Sequence, residues 1–465
     1  MRAPLVLSIV ATLGCGADHH AGPDAPGGPG IDAAGPDADP DAPPDASVPP
    51  SGPWRVIVGG IGACAIHTDG RVKCWGGFLG YEVNQFHGDM PNEMGASLPA
   101  IRFGAGRTAK ALAVGTDHAC VILDNDRVKC WGANQYGQLG DGDMTERGRQ
   151  VGDMGDNLPY VDLGAGRTVK ALSAGDWLTC AILDTNKVKC WGLNAAGGCG
   201  LGDTMRRGAT AASMGDNLPY VDLGTGRTAT QIFAGEGRAC ALLDTGDLKC
   251  WGNNNSGSIG EGQLTTHVGV AAGQMGDALP AVALGTGLHA ASVTHQGESI
   301  CATLTSGKVK CWGRGREGEL ASGDAVDRGD TPNEMGDQLA FAQLGSTNPI
   351  EIAGAASHGC AVFPNGDVAC WGANYDGNLG LGLVDNAIVG TMPSQVGANL
   401  PRVNLAGPAV AISARGLETC ATLMDGHIQC WGLNANGDLG IGDVRNRGND
   451  VADMGSALPF TDLGP

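Results

Sequence analysis

Cysteine is the residue with the most chemistry to offer in this chain, and its spacing is regular. Cysteines stand at 64, 120, 180, 240, 301, 360 and 420, and each is followed ten residues later by another, at 74, 130, 190, 250, 311, 370 and 430. Between the two lie an apolar run, a turn such as Thr68-Asp69-Gly70 or Asp244-Thr245-Gly246, and a second short run such as Val188-Lys189. That is the pattern of a β-hairpin. In the first copy residue 69 is the midpoint, so a three-residue loop with Gly70 at left-handed φ makes 67 and 71 the closing hydrogen-bonded pair. Alternation then places Cys64 and Cys74 at a non-hydrogen-bonded site, where facing side chains approach most closely. The spacing predicts seven disulfides: Cys64 with Cys74, Cys120 with Cys130, Cys180 with Cys190, Cys240 with Cys250, Cys301 with Cys311, Cys360 with Cys370 and Cys420 with Cys430. Each closes a short loop worth ~2–3 kcal/mol in the chain-entropy account. Pairs of buried thiols and metal ligands are the competing readings, although pairs on separate hairpins do not readily assemble the four ligands of a structural zinc site.

The two remaining cysteines carry other chemistry. Cys15 follows Met1-Arg2 and the apolar run Leu5 to Leu13, within Thr12-Leu13-Gly14-Cys15. This stretch resembles the bacterial lipoprotein signal, in which the cysteine becomes the lipidated first residue after cleavage. Thr12 stands where that signal most often has leucine, and an ordinary secretory cut near Ala17 is the alternative. Cys199 lies eight residues after Trp191, in a register that holds Val83, Leu139, Ile259, Leu320, Leu379 and Leu439 in the other units. An apolar register predicts a buried thiol and not a nucleophile.

Candidate binding residues come from the short segment before the first cysteine of each pair. There the frame is constant and the side chains vary: Asp117 and His118, Trp177, Gly237 and Arg238, Glu298 and Ser299, Ser357 and His358, Leu417 and Glu418. Loops of this kind line one face of a ring scaffold, so Asp117, His118, Trp177, Arg238, Glu298, His358 and Glu418 form the expected partner-binding set, with solvated loop ends as the bland reading. For His118 and His358 a structural hydrogen bond is the competing role. Asp141-Gly142-Asp143 and Asn436-Gly437-Asp438 hint at calcium but lack the remaining ligands of a calcium loop. No phosphate loop, zinc-protease helix or nucleophile elbow occurs, and no carboxylate pair is singled out for glycoside cleavage. The expectation is a protein without catalytic residues, cofactor or metal.

The elements that must carry these residues repeat. Cys-Trp-Gly recurs at intervals of 56, 60, 60, 61, 59 and 60. The unit near 158 reads as four short strands, 160–163, 169–174, 179–184 and 187–191, followed by a Gly-rich connection over 193–217. Four strands repeated seven times predict an all-β, seven-bladed β-propeller. Leu-Pro-x-x-x-Leu-Gly appears at 98, 158, 218, 279 and 458, with relaxed copies at 339 and 400. It is missing before the first hairpin and stands alone at 458–464, so the last strand is expected to complete the first blade and close the ring.

Gly-x-x-His-x-Cys at 115–120, Val128-Lys129-Cys130-Trp131-Gly132-Ala133-Asn134 and Gly137-Gln138-Leu139-Gly140 resemble the repeat of the regulator of chromosome condensation family, and copies cover 54–465. The resemblance implies a seven-bladed propeller used for binding. The family's eukaryotic founder is a nuclear guanine-nucleotide exchange factor that binds chromatin, and a secreted bacterial relative inhibits β-lactamases, so the fold leaves the function open.

Composition narrows the choice. Residues 16–53 hold Gly, Pro, Ala and seven Asp with no Lys or Arg, a composition that cannot bury a core and predicts a disordered linker reaching about 35 Å as a coil. The domains are thus expected to be a lipoprotein-type signal over 1–15, that linker over 16–53 and the propeller over 54–465. The whole chain of 465 residues has 29 basic and 49 acidic residues, a net charge of -20, which argues against nucleic acid as a partner. Sixteen cysteines point to an oxidising compartment, so exchange on a cytosolic GTPase is expected on family analogy only. The leading expectation is a monomeric, non-enzymatic scaffold, held on a bacterial outer membrane or cell surface solely by its N-terminal lipid and binding an unidentified protein or glycan. A periplasmic or secreted soluble protein is the alternative address. Enzyme inhibition and glycan binding or hydrolysis are the alternative activities.

Overall fold

The apolar runs flanking each turn pair as antiparallel strands. In the second unit these are Ala109–Val114, His118–Leu123 and Val128–Gly132, and equivalent strands recur in seven separate sheets. The computed structural model describes residues 54–465 except 78, 79, 84, 265 and 266; Cys15 and the linker lie outside the described residues. Each sheet is one blade, with its first strand lining a central channel and its middle strand sandwiched between neighbouring blades. His118–Leu123 is therefore buried at every residue, as expected of a strand covered on both faces.

The hairpins form as the spacing requires. The His67 N–H donates to Arg71 O at 2.8 Å, Cys64 faces Cys74, and Gly70 takes φ +87°. Asp126 and Asn186 occupy the same turn position at φ 60°, a conformation these two residue types tolerate better than most. All seven predicted disulfides are formed, with facing Cα atoms 4.0–4.1 Å apart.

The expected fourth strand takes a different form. Six sheets have three strands, and only the sixth blade adds one, Ala387–Val389. Elsewhere two disconnected segments share the outer position: in the second blade Arg147 bridges Gly132, and Tyr160 bridges Lys129. The Leu-Pro-x-x-x-Leu-Gly segment thus belongs to the blade before it, with the Val161 N–H donating to Val128 O at 2.9 Å. Proline and the surrounding glycines allow single contacts but no continuous ladder.

Buried lysines join these segments to the next blade. Lys129 Nζ donates to Phe103 O and Gly155 O, both at 2.8 Å, and Lys189 Nζ to Leu163 O and Gly215 O at 2.9 and 2.8 Å. In the seventh blade Gln429 replaces lysine and reaches Gly455 O and Leu458 O. Burial holds the Lys129 and Lys189 ammonium groups below their usual pKa. The Cys-Trp-Gly tryptophans are fully enclosed and tie blade to blade: Trp191 donates to Gln138 O at 3.0 Å and Trp75 to Asp438 O at 3.0 Å.

Closure uses the same devices at the seam between the seventh and first blades. The C-terminal segment hydrogen-bonds the seventh blade through Thr461 N–H to Ile428 O at 2.9 Å. Lys73 donates to Leu463 O at 2.8 Å and the Trp54 indole to Gly464 O at 2.9 Å. The last segment therefore closes the ring, as expected. It lies on the outer edge of the seventh blade and is clasped by side chains of the first, so it adds no strand to the first sheet.

Candidate functional site

The loop between the inner and middle strands carries the variable residues, and strand alternation divides them into two groups. Residues two before the cysteine share its side of the sheet and point into the seam; those three before point out of it. His118, Arg238, His358 and Glu418 are accordingly 0–1% exposed and leave the expected binding surface. Asp117, Trp177 and Glu298 remain partly exposed at the loop face. The glycine of Cys-Trp-Gly permits this close approach: Gly192 has φ +110°, and a Cβ there would stand 2.2 Å from Trp177 O.

The buried four make structural contacts. His118 Nε2 lies 2.9 Å from Thr179 Oγ1, whose hydroxyl donates to Gln138 O. With the threonine proton committed, the imidazole donates through Nε2. His358 repeats the arrangement with Thr419 at 2.8 Å, and its Nδ1 accepts from the Asn378 amide at 2.8 Å. Burial holds both rings near pKa 3, so they are neutral. Arg238 donates to Gly297 O at 2.7 Å across the seam to the fifth blade. Burial raises the Glu418 carboxyl well above the usual range, with the nearby Asp438 adding to the effect.

The signal for the histidine pairs was present in the sequence. Thr179 and Thr419 stand 61 residues after His118 and His358, while the same register holds Ala63, Ala119, Ala239, Ile300 and Gly359. Cys199 behaves as expected: it is buried, and burial pushes its thiol up to about 12. Val83 does not, being 40% exposed where Leu139, Ile259, Leu320, Leu379 and Leu439 are 0–2% exposed. The first unit is shorter, and counting from tryptophan misplaces its register. Asp141 and Asp143 are held by Arg147 at 2.9 and 2.7 Å, and no cluster of three metal-binding side chains occurs among the described residues.

On the exposed side two features break the sevenfold repeat. Tyr136 and Trp177, from the second and third blades, pack with ring centroids 5.4 Å apart. Arg206 lies 5.9 Å over the Tyr136 ring and touches the exposed Met144. Burial raises the Asp117 carboxyl, while polar contacts from the Trp177, Gln135 and Gln138 side chains pull it back.

The second feature is the channel mouth, which sequence reasoning missed. The residue four before the first cysteine of each pair is Gly60, Thr116, Asp176, Glu236, Gly297, Ala356 or Gly416, and together these seven line a cavity of about 250 Å³. Arg415, from the seventh blade, crosses it. Its guanidinium donates to Ala174 O at 3.1 Å and Val114 O at 3.5 Å, and pairs with Asp176 at 2.9 Å. Thr116 Oγ1 donates to the same Asp176 oxygen at 2.7 Å. Below it, an inner cavity of about 350 Å³ is lined by Leu112, Leu172, Phe233 and Ile412, with Arg55 and Glu351 as its charged groups.

Comparison with known proteins agrees with this architecture. Residues 109–138, 169–197 and 229–258 match the regulator of chromosome condensation (RCC1) repeat. The chain is 26% identical over 405 residues to the ultraviolet-B receptor UVR8 of Arabidopsis thaliana, covering 85% of this chain and 81% of that protein. It is 28% identical over 264 residues to protein pim1 of Schizosaccharomyces pombe, covering 55% of this chain and 44% of that protein. Over 273 residues it is 28% identical to the human E3 ubiquitin-protein ligase HERC2, of which it spans 5%. Among solved structures, yeast RCC1 (Prp20) bound to Kap60 superposes with a TM-score of 0.61 at 16% identity, covering 85% of this chain and 86% of that one. Human WBSCR16 superposes at 0.57 with 18% identity, covering 78% and 85%.

Proposed function

Taking the chain as a propeller of regulator of chromosome condensation repeats, we propose that it is a non-enzymatic scaffold that binds a protein partner through the loop face of its second and third blades. The observation that carries this reading is the Tyr136–Trp177 pair. Phe103 and Trp131 also meet across a seam but are buried, so among the described residues Tyr136 and Trp177 are the one partly exposed pair of aromatic rings from different blades, flanked by Arg206 and Met144. Tyr, Trp and Arg are the residue types that dominate binding energy at protein interfaces, because they contribute large contact area at small conformational cost.

We place the protein on a bacterial envelope, tethered by a lipid on Cys15 and a linker over 16–53. The lipoprotein-like motif and the seven disulfides support this address. A secreted hydrolase inhibited by the loop face is a special case of the same binding mode. The test is affinity capture from envelope extract on the wild-type chain and on Tyr136→Ala and Trp177→Ala, followed by titration of the purified partner. Binding weakened at least tenfold by each substitution supports the reading. A partner held equally by all three chains removes this face from consideration.

A further inference from the structure

Arg415 shows what the channel mouth accepts. Inner-strand residues just before the channel glycine direct their carbonyls into the opening, and a guanidinium spans two of them, Val114 O and Ala174 O, while pairing with Asp176. Arg415 itself is an exception in its register, which otherwise holds Gly59, Gly115, Gly175, Gly235, Gln296 and Ala355. A Cβ on Gly115 or Gly175 would stand 2.5 or 2.4 Å from the next blade's carbonyl oxygen.

One blade further round, the same register supplies Ala174, Ala234 and, in place of Asp176, Glu236. Ala174 O already accepts from Arg415, but among the described residues no side chain hydrogen-bonds Ala234 O. Among the described residues the Glu236 carboxylate forms no ion pair or hydrogen bond, and its side chain is exposed at the rim. Crowding at the mouth, then the Asp176 charge, hold its carboxyl above the usual range, so an added cation would be favoured there. Asp176 is already paired with Arg415, and Arg238 is committed beneath to Gly297 O. Arg238 and Arg314 pull the Glu236 carboxyl partway back, but among the described residues neither forms an ion pair with it. Neither ring nitrogen of His295, which lines the same cavity, has a partner at hydrogen-bonding geometry, and one of the two can accept from an incoming donor. The opposite wall, Gly297, Ala356 and Gly416, leaves space for an incoming chain.

We propose that the loop-face mouth seats one basic side chain of the partner, an arginine or lysine, against Glu236, in a vacant repeat of the site that Arg415 fills from within. This rests on the loop face being the binding face. It also suits a propeller with 28 basic and 42 acidic residues over 54–465, whose field attracts a basic partner.

The test uses the full chain and three capped tripeptides, Ac-Gly-Arg-Gly-NH2, its citrulline analogue and its glutamate analogue, titrated by calorimetry at low salt. Citrulline keeps the shape of arginine and about three of its five N–H donors, with a urea carbonyl in place of the charge. The arginine peptide is expected to bind at least tenfold more tightly than either analogue, and Glu236→Gln is expected to remove that preference. The exposed position of Glu236 keeps the variant folded, which an unchanged melting temperature verifies. Equal binding of arginine and citrulline peptides, or an undiminished preference in Glu236→Gln, overturns the proposal. With the captured partner in hand, loss of binding on Trp177→Ala but not on Glu236→Gln would discard the basic seat and leave the loop-face reading standing. Indifference to both would discard both.

Discussion

At the level of single residues, the buried titratable groups in the seams set the response of this protein to pH. His118 and His358 are near pKa 3 when folded and about 6.5 when unfolded. Between those values the unfolded chain binds protons that the folded chain does not, so stability falls as pH drops below about 6.5. By pH 5 each ring should cost about 2 kcal/mol. Glu319, raised by burial to about 7, works oppositely: its contribution is present at low pH and is lost as pH rises through 7. Urea midpoints from pH 7.5 to 5 should therefore fall less steeply for His118→Gln, which keeps a donor toward Thr179, than for the wild type. A parallel decline in the two chains would show that the ring is not the titrating group. The thiol of Cys199, buried and far from ionised at pH 8, should resist maleimide in the native protein and react once denatured; rapid native labelling would contradict its placement. These residues also mark where sequence reading stopped. Two residues before a cysteine and three before it look alike in a sequence, and only the direction of the strand sends Arg238 inward while Trp177 stays out.

At the level of elements, the hairpins were legible because their determinants are local: a turn, flanking apolar runs and a fixed cysteine spacing. The outer edge was not. Its two segments meet the sheet at single points, and what secures them is a lysine that reads as an ordinary solvated position in Val-Lys-Cys-Trp. The seventh blade offers a natural substitution, since Gln429 keeps the bond to Gly455 O, the counterpart of Gly215 O, and adds one to Leu458 O. Lys189→Gln should accordingly cost under ~1 kcal/mol. Lys189→Ala, leaving Leu163 O without its side-chain donor and Gly215 O with only the Leu218 N–H, should cost ~1–3 kcal/mol. Chemical denaturation of the two variants checks the difference, and equal losses would show that filling the seam outweighs the hydrogen bonds.

At the level of the whole molecule, ring closure rests on the last segment. Deleting 458–465 removes one of the two acceptors of Lys73 and the acceptor of Trp54 and uncovers the seam between the seventh and first blades. The melting temperature is expected to fall by more than about 10 °C, with hydrogen exchange accelerating first in those two blades. Uniform acceleration around the ring would argue for a single cooperative unit. The ring itself could be read from seven offset half-repeats, but Arg415 could not. Its partners lie 239, 241 and 301 residues away, and that contact exists only once the circle has formed.

Among the described residues every disulfide lies within one hairpin, and none joins two blades. Under tension on the two chain ends, the clasped seam would part first and the blades would unravel in turn. Each cross-link would withhold the stretch between its cysteines, about 30 Å of extended chain. The ring would thus lengthen in seven short steps and keep a knot of folded-back chain in each, so that a reductant added during stretching should lengthen every step by that amount.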